Sequence, residues 1–407
     1  MKKAAVVVSE NIRELVGKII IKNNLKNVVE IKYHPGSQSG DGYVSKTLSV
    51  EIVTNDDIFR IFIKYALDVK STESVPIDKL YACETYFYDT VYPAYQRFLA
   101  EKQLENVFHH VPKCYGTSEK DGIVALENLK HKGFTMYDRR KVMDRPHLEI
   151  VLRTFAKFHA VSFAFKDQQR KRYQELIDNS YGDFFSKVME VDGSVQMVTT
   201  TINNFLEKLD AVKDKWILDK CENLVEKLLR VMSSPKSCVK EYSILTQGDC
   251  WCNNIMFTYS DDSHKNPTDI VLIDWQMLRE ATPVFDISYF FYTIASQEGL
   301  DNLDHYLEIY YQELRERIKD LGSDPDELYP LHVFRKECKE HLKYGFAMAF
   351  MLVRMMLSAE DEVVSMEGLD FANAEDLQKM YPKLKREDEF IWRMKALAEH
   401  MIKNNLL

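Results

Sequence analysis

Three polar residues, Asp249, Asn254 and Asp274, stand at spacings that suit phosphoryl transfer to a hydroxyl group. Asn254 follows Asp249 by five residues, and two short apolar runs, 255–259 and 270–273, lie between Asn254 and Asp274. Two strands joined by a polar turn form an antiparallel hairpin, so the residue that enters it lies near the residue that leaves it. The pattern predicts an amide and a carboxylate at the open end of a hairpin, beside Asp249.

This set of oxygen donors predicts a magnesium-dependent kinase. Mg²⁺ is usually held by one or two carboxylates together with substrate phosphates. We predict Asn254 and Asp274 as the metal ligands, and Asp249 as the catalytic base that orients or accepts the proton of the attacking hydroxyl. Any one of these residues could instead be a loop or capping residue, a common role for Asp and Asn. Their combined spacing around a hairpin favours the catalytic interpretation.

Two more residues would complete such a site. Lys64 ends an apolar strand pattern, and Glu84 lies in a helical stretch that follows a loop. A kinase-like site needs a strand lysine that contacts the nucleotide phosphates and a helix glutamate that holds the lysine. Many Lys–Glu pairs share this spacing, and a lysine at a strand end is usually just solvated, so this signal is weak by itself.

A strand-rich first third must position Lys64. Apolar residues alternate with polar ones over 48–52 and 59–63, which predicts strands. The segment 34–45 between the first two strands is rich in glycine and serine, and predicts a turn whose amides, around Ser37 and Gly40, could approach phosphate. It does not match the P-loop sequence, and by itself it would be an ordinary hairpin turn.

The lobes and their boundary follow from a change of pattern. Two apparent strands, 111–115 and 122–126, precede a short extended segment, Glu127-Asn128-Leu129, whose backbone could hydrogen-bond an adenine edge. Helical periodicity dominates after about residue 134. We predict an α+β, bilobal protein-kinase-like fold with an antiparallel sheet in the smaller lobe. Its parts are an N-lobe (1–126), a hinge (127–133) and a mainly helical C-lobe (134–407).

Composition limits the classes of partner. The chain has 407 residues and a formal net charge of −9, which argues against general affinity for nucleic acid or anionic membranes. The longest apolar run, 344–357, contains Arg354 and is too short to span a bilayer.

Seven irregularly spaced cysteines do not form a disulfide framework, and the Cys250–Cys252 pair has no second cysteine pair for a zinc site. We expect a cytoplasmic, reduced protein; the oligomeric state stays open.

These residues resemble a known family. Asp249, Asn254 and Asp274 look like the catalytic loop and metal-binding aspartate of the choline kinase and aminoglycoside phosphotransferase superfamily, and the chain is most similar to the ecdysteroid kinase-like family of arthropods. The blocks that carry the resemblance occur in the family's order. They are Pro35-Gly-Ser, Glu84-x-x-x-Tyr88, Leu126-Glu-Asn-Leu129 with Gly133-Phe134, Phe158-His-Ala-x-Ser162, Gly248-Asp-Cys-Trp-Cys-Asn-Asn254, Leu272-Ile-Asp-Trp-Gln276 and Pro283-x-x-Asp286-Ile-Ser-Tyr-Phe-Phe.

The resemblance implies a kinase that binds ATP and Mg²⁺ between two lobes and phosphorylates a small-molecule hydroxyl, most characteristically that of an ecdysteroid or a related steroid or foreign alcohol. It implies Lys64 at the ATP phosphates, Glu84 as its support and residues 127–129 at the adenine. Asp286 would be a buried support of the catalytic loop. Choline-like or aminoglycoside-like substrates are the alternative within the enzyme class.

Three positions depart from the family's pattern. Gln247 replaces a histidine, Trp275 a phenylalanine and Asn128 an aspartate. Glutamine can donate and accept hydrogen bonds as histidine does, so we expect activity to persist. The rival hypothesis is an inactive kinase fold that binds a ligand without transferring phosphate.

The substrate side is less clearly defined by sequence. Methionine and aromatic residues crowd 346–356, a pattern typical of a helix in the core, although methionine also suits adaptable binding surfaces. Such a surface would fit a sterol. The acidic run 360–362 would instead suit a cationic substrate.

Overall fold

The computed structural model describes most of the chain. The described residues are 8–36, 45–67, 76–181, 184–233, 241–363, 373, 376 and 384–407. Ser37 and Gly40, predicted to approach nucleotide phosphates, lie outside the described residues.

A five-stranded antiparallel sheet dominates the smaller lobe. Its strands are β1 (Val28–Pro35), β2 (Ser45–Thr54), β3 (Ile58–Ala66), β4 (Cys114–Ser118) and β5 (Ile123–Glu127), and their order across the sheet is β1-β2-β3-β5-β4. The sequence placed the fourth strand too early, at 111–115. Pro112 lacks an N–H group to donate to a neighbouring strand, and pairing begins only at Cys114.

The two faces of this sheet have different tasks. Alternate residues of a strand point to opposite faces. Apolar residues such as Leu48, Val50 and Ile63 pack under the amphipathic helix α1 (Glu10–Lys22). Lys64 is offset by one residue from Ile63 and therefore belongs to the opposite face, which lines the cleft between the lobes. Because Ile63 is buried on the face that packs against α1, the next side chain, Lys64, points into the cleft.

Helices make up most of the remainder. Two helices lie between β3 and β4: α2 (Asp78–Tyr86) and α3 (Tyr92–Glu101). A first group in the larger lobe lies between β5 and the loop at 247: α4 (Arg145–Gln168), α5 (Arg170–Asp178), α6 (Phe184–Val188), α7 (Asp192–Lys208), α8 (Lys215–Lys220) and α9 (Leu224–Met232). The second group completes the larger lobe: α10 (Pro283–Ile294), α11 (Gln297–Asp301), α12 (Leu303–Asp320), α13 (Pro325–Leu328), α14 (Leu331–His341), α15 (Lys343–Leu357) and α16 (Glu387–Lys403).

Two small sheets hold the loops of the larger lobe. One contains β6 (Thr135–Met136), β8 (Ile255–Tyr259) and β9 (Pro267–Leu272), and the other pairs β7 (Ile244–Thr246) with β10 (Arg279–Ala281). Strands β8 and β9 pair antiparallel, as the sequence predicts.

Helix α15 contains the methionine-rich segment. Met348, Phe350 and Met356 are buried, and the helix packs chiefly against α10 and α9. The crowding of methionine therefore forms part of the larger lobe's core.

The predicted α+β, bilobal architecture is confirmed, with an antiparallel sheet in the smaller lobe and helices in the larger one. Within the described part of the chain, no helix combines the length and the apolar character needed to cross a bilayer.

Candidate active site

Lys64 lies at the centre of the interlobe cleft. Its Nζ is 2.8 Å from Glu84 Oε2 and 2.7 Å from Asp274 Oδ1. The three residues come from β3, α2 and the segment after β9, so one lysine joins elements of both lobes. Burial alone would lower the pKa of Lys64, but the carboxylates of Asp274 and Glu84 outweigh it and raise the pKa above its ordinary value. The lysine therefore stays charged.

Asp249 is held by two side-chain donors. Asn254 Nδ2 donates to Asp249 Oδ2 at 2.8 Å and to the Asp249 carbonyl at 2.9 Å. The Tyr289 hydroxyl donates to Asp249 Oδ1 at 2.8 Å. Burial and the nearby charge of Asp274 raise the pKa of Asp249 to about 6, against the lowering effect of these hydrogen bonds. A carboxylate poised in this range is suited to proton transfer near neutral pH.

Gln247 joins the two acidic segments. Its Nε2 donates to the carbonyls of Ile273 and Asp274, at 3.2 and 2.9 Å. Its Oε1 accepts from the Asp249 N–H at 3.0 Å and lies 3.0 Å from Cys250 Sγ, which donates to it. Gln247 thus uses both ends of its amide to fix Asp249 relative to Asp274.

Gly248 and Asp286 hold the backbone of the same loop. Gly248 has a φ of 85°, and a Cβ there would lie 2.0 Å from the Met277 carbonyl oxygen. The Asp286 carboxylate accepts from the N–H groups of Gln247 and Gly248 at 2.7 and 3.1 Å, and His159 Nε2 lies 3.2 Å from it. Asp286 supports the loop from below, as the resemblance implies.

Asp274 leaves the β8–β9 hairpin in an unusual backbone conformation, with a φ of 61°. The N–H of the preceding Ile273 donates to the Asn254 carbonyl at 2.9 Å, which ties together the two ends of the hairpin. The left-handed conformation and the glutamine contact together turn the Asp274 carboxylate toward Lys64.

Apolar side chains line the inner part of the cleft. Phe62, Leu126, Met136, Met256 and Ile273 surround a space between the lobes that could accept a flat aromatic ring. The cleft's lining also includes Lys64, Asn254, Asp274 and all of Glu127, Asn128 and Leu129. Glu127 is the last residue of β5 and pairs with Ile61, so the sheet itself leads into this segment.

The model of the ecdysteroid kinase-like family matches residues 39–323, well over half of the chain. The chain belongs to the ecdysteroid kinase-like family. Its bilobal fold is accordingly protein-kinase-like, as the sequence predicts. No curated protein sequence matches the chain significantly.

Several aminoglycoside phosphotransferases are among the solved structures that match the chain, each at low sequence identity and low TM-score. The GDP and kanamycin complex of APH(2″)-IIia is 11% identical, with a TM-score of 0.40, over 96% of this chain and 99% of that one. Aminoglycoside-3′-phosphotransferase of type VIII is 13% identical, with a TM-score of 0.32, over 85% of this chain and 100% of that one. APH(3″)-Id from Streptomyces rimosus is 11% identical, with a TM-score of 0.29, over 82% and 97%.

The structure brings together all the described residues predicted for the site, and it adds one that the sequence analysis missed. Tyr289 is three residues after Asp286 on α10, so both side chains lie on one face of that helix. This spacing is a signal in the sequence, but which residue the tyrosine contacts depends on how α10 packs beneath the loop.

Proposed function

We propose that the protein transfers the γ-phosphoryl group of ATP to a hydroxyl group of a small molecule. The observation that carries the proposal is that Lys64 contacts both Glu84 and Asp274 in a cleft that also contains Asn254, the partner of Asp249. A cation for phosphates, a carboxylate for metal and a carboxylate for a proton are the groups that phosphoryl transfer needs.

Each of these side chains receives one role. Lys64, held by Glu84, neutralises charge on the nucleotide phosphates. Asp249 accepts a hydrogen bond from the acceptor hydroxyl and takes its proton as the oxygen attacks the γ-phosphorus. The bond from that phosphorus to the β–γ bridging oxygen breaks, and ADP leaves. The buried setting that raises the pKa of Asp249 to about 6 lets it accept that proton readily.

Asn254 and Asp274 fit a magnesium ion. Because Asn254 Nδ2 donates to Asp249, its amide oxygen is the atom left for a cation, and the Asp274 carboxylate supplies a second hard oxygen donor. A bound Mg²⁺ would neutralise charge on the phosphate oxygens.

The nucleotide's position follows from the two lobes. We assign residues 1–126 to a nucleotide-binding N-lobe, 127–133 to a hinge and 134–407 to a catalytic and substrate-binding C-lobe. Glu127 and Leu129 would contact the adenine through their backbone, next to the apolar cleft walls. Ser37 and Gly40 remain our candidates for contact with the phosphates.

The proposed acceptor is an ecdysteroid or a related steroid or foreign alcohol, and its support is membership of the family. The methionine-rich helix adds none, because most of its methionine and aromatic side chains are buried in the core. A cationic acceptor has less support, because two acids of the 360–362 run are already bound: Asp361 pairs with Lys385, and Glu362 accepts from the Ala359 and Lys385 N–H groups. The net charge and cysteine spacing favour a cytoplasmic protein without nucleic-acid partners.

The test compares wild type with Asp249→Asn. Each protein is incubated with ATP, Mg²⁺ and a panel of ecdysteroids, other hydroxylated steroids, choline and aminoglycosides, and products are detected by the mass of one added phosphate. Wild type should phosphorylate a steroid alcohol, and Asp249→Asn should be slower by roughly 10²- to 10⁴-fold. Binding of ATP should persist in the variant.

The same experiment tests an inactive, ligand-binding protein. That function would be favoured if wild type and Asp249→Asn bind a steroid equally well and neither adds phosphate to any member of the panel. Phosphorylation of choline or an aminoglycoside alone would retain the kinase and reject the steroid.

A further inference from the structure

Tyr289 is a buried hydroxyl-bearing residue to which the roles above assign no task. Its side chain is only 2% exposed, and its hydroxyl donates to Asp249 Oδ1. The other carboxylate oxygen accepts from Asn254. Since each carboxylate oxygen can accept about two hydrogen bonds, one lone pair per oxygen is left for other partners. Rotation of the carboxylate would break two hydrogen bonds at once.

Helix α10 supports Asp249 at two levels. Asp286 holds the backbone N–H groups of Gln247 and Gly248, and Tyr289, one helical turn later, holds the side chain of Asp249. The loop's path and the orientation of its carboxylate are therefore fixed by the same rigid element.

Helix α15 in turn fixes the tyrosine ring. Gly345 packs so closely on α10 that a Cβ there would lie 2.0 Å from the Ser288 carbonyl oxygen. The Tyr344 ring lies edge-on to the Tyr289 ring, with centroids 6.4 Å apart, and the Tyr344 hydroxyl accepts from Arg279 Nη2 at 2.8 Å. These contacts limit the positions open to the Tyr289 hydroxyl.

We propose that Tyr289 is a positioning residue that orients the Asp249 carboxylate toward the acceptor hydroxyl. The inference rests on the proposed kinase function. Tyr289 acts as a donor only and takes no proton from the substrate: burial holds the pKa of its hydroxyl well above the ordinary value, so the phenol keeps its proton.

The variant that tests this role is Tyr289→Phe, which keeps the ring and removes the hydroxyl. Asp249 would keep the Asn254 contact and lose the restraint on its other oxygen. A small misplacement of a catalytic group can cost up to about a hundredfold in rate, so kcat should fall roughly ten- to hundredfold. KM for ATP should change less than about twofold, since Lys64 and the cleft walls are unaltered.

Tyr292→Phe is the matched control. Tyr292 lies on the same helix, is 1% exposed, and has its hydroxyl 3.1 Å from His400 Nε2 of α16 rather than on the 247–254 loop. Tyr292→Phe should lose about as much stability as Tyr289→Phe, because each removes one buried hydroxyl, and thermal unfolding measures both losses. The kcat of Tyr292→Phe should stay within about twofold of wild type. ATP affinity is measured by titration for both variants, and a value close to that of wild type shows that the cleft is folded.

Each outcome decides the matter. A low kcat with unchanged KM in Tyr289→Phe alone supports the inference. Equal kcat in Tyr289→Phe and wild type overturns it, and an equal loss in both variants overturns it by showing that general packing of α10 is responsible. If wild type binds ATP and phosphorylates no member of the acceptor panel, the proposed function itself fails, and the inference with it.

Discussion

The loop at 247–249 and helix α15 are both largely buried in the larger lobe and both contact α10, but they are held in different ways. The loop meets α10 through hydrogen bonds to the carboxylate of Asp286. Helix α15 meets it through close packing of apolar side chains around Gly345. Hydrogen bonds require particular atoms at particular angles, whereas apolar packing mainly requires volume.

This difference predicts where the protein tolerates change. A buried polar group that loses its partner costs its full desolvation free energy. A buried methionine can be exchanged for another apolar residue of similar volume at small cost. We expect the loop to be intolerant of substitution and α15 to be tolerant except at Gly345.

The largest effect is expected for Gln247→Leu. The substitution leaves the N–H of Asp249 and the carbonyls of Ile273 and Asp274 without their side-chain partner, which should lower the free energy of unfolding by about 3 kcal/mol. Phosphotransfer should fall at least about a hundredfold, because Asp249 and Asp274 lose their mutual alignment. Denaturant unfolding and kcat measure the two effects.

Gln247→His provides the control for that prediction. Histidine restores a donor and an acceptor at the same position, so kcat should stay within roughly tenfold of wild type. An active Gln247→Leu would show that the amide contacts are dispensable, and would remove the contrast with α15.

The second-largest effect is expected for Gly345→Ala. Unlike other substitutions in α15, it should destabilise the protein strongly, as substitutions in the loop do. A Cβ 2.0 Å from the Ser288 carbonyl oxygen must push α10 and α15 apart, at a cost of about 2 to 3 kcal/mol. Gly17→Ala in α1 is the matched control. Apart from its chain neighbours and its own helix backbone, no atom of the described residues lies within 4 Å of a Cβ there, so the variant should be about 0.5 to 1 kcal/mol more stable. Thermal unfolding distinguishes them, and equal melting temperatures would contradict the packing argument.

His400, which lies on α16 and contacts Tyr292 of α10, should make the free energy of unfolding depend on pH, with an effect of intermediate size. Burial lowers the pKa of His400 to about 4, from an unfolded value near 6.5. Below pH 6.5 the unfolded chain therefore binds a proton that the folded chain does not, and the free energy of unfolding should fall by about 2 kcal/mol between pH 7 and pH 5. In His400→Gln this contribution disappears, so its stability should depend less on pH. Chemical denaturation at several pH values measures the slopes, and parallel slopes would reject the argument.

The smallest effect is expected for Met348→Leu in α15. Met348 is buried in the core, and the exchange nearly conserves volume, so the free energy of unfolding should change by less than about 1.5 kcal/mol. Activity with a steroid acceptor should be unchanged. A large change in KM for the acceptor with stability intact would mean that this helix contacts the substrate.

Much of the site's framework could be predicted because it is local in sequence. The hairpin that places Asn254 next to Ile273 follows from two apolar runs and a polar turn. The strand pattern around Lys64 follows from alternation with buried neighbours. The fold class follows from the same periodicities.

The remaining contacts depend on how distant segments pack. The partner of Tyr289 lies 40 residues away in the chain, and that of Gln247 Nε2 lies 27 residues away. The sequence of α15 is equally compatible with methionines that line a substrate pocket, because helical periodicity shows that a face is apolar but not what covers it. Only the packing of α10, α15 and the loop decides these questions.

The left-handed backbone at Asp274 limits which residues evolution or mutagenesis can place there. Asparagine and aspartate tolerate this conformation better than alanine or glutamate do. Replacement by alanine would thus combine backbone strain with loss of the carboxylate, and replacement by glutamate would add strain while keeping the charge. Asp274→Asn is the substitution that isolates the charge. A homologue with asparagine at this position would keep the shape of the site while losing the negative partner of Lys64, a one-step route from enzyme to binding protein.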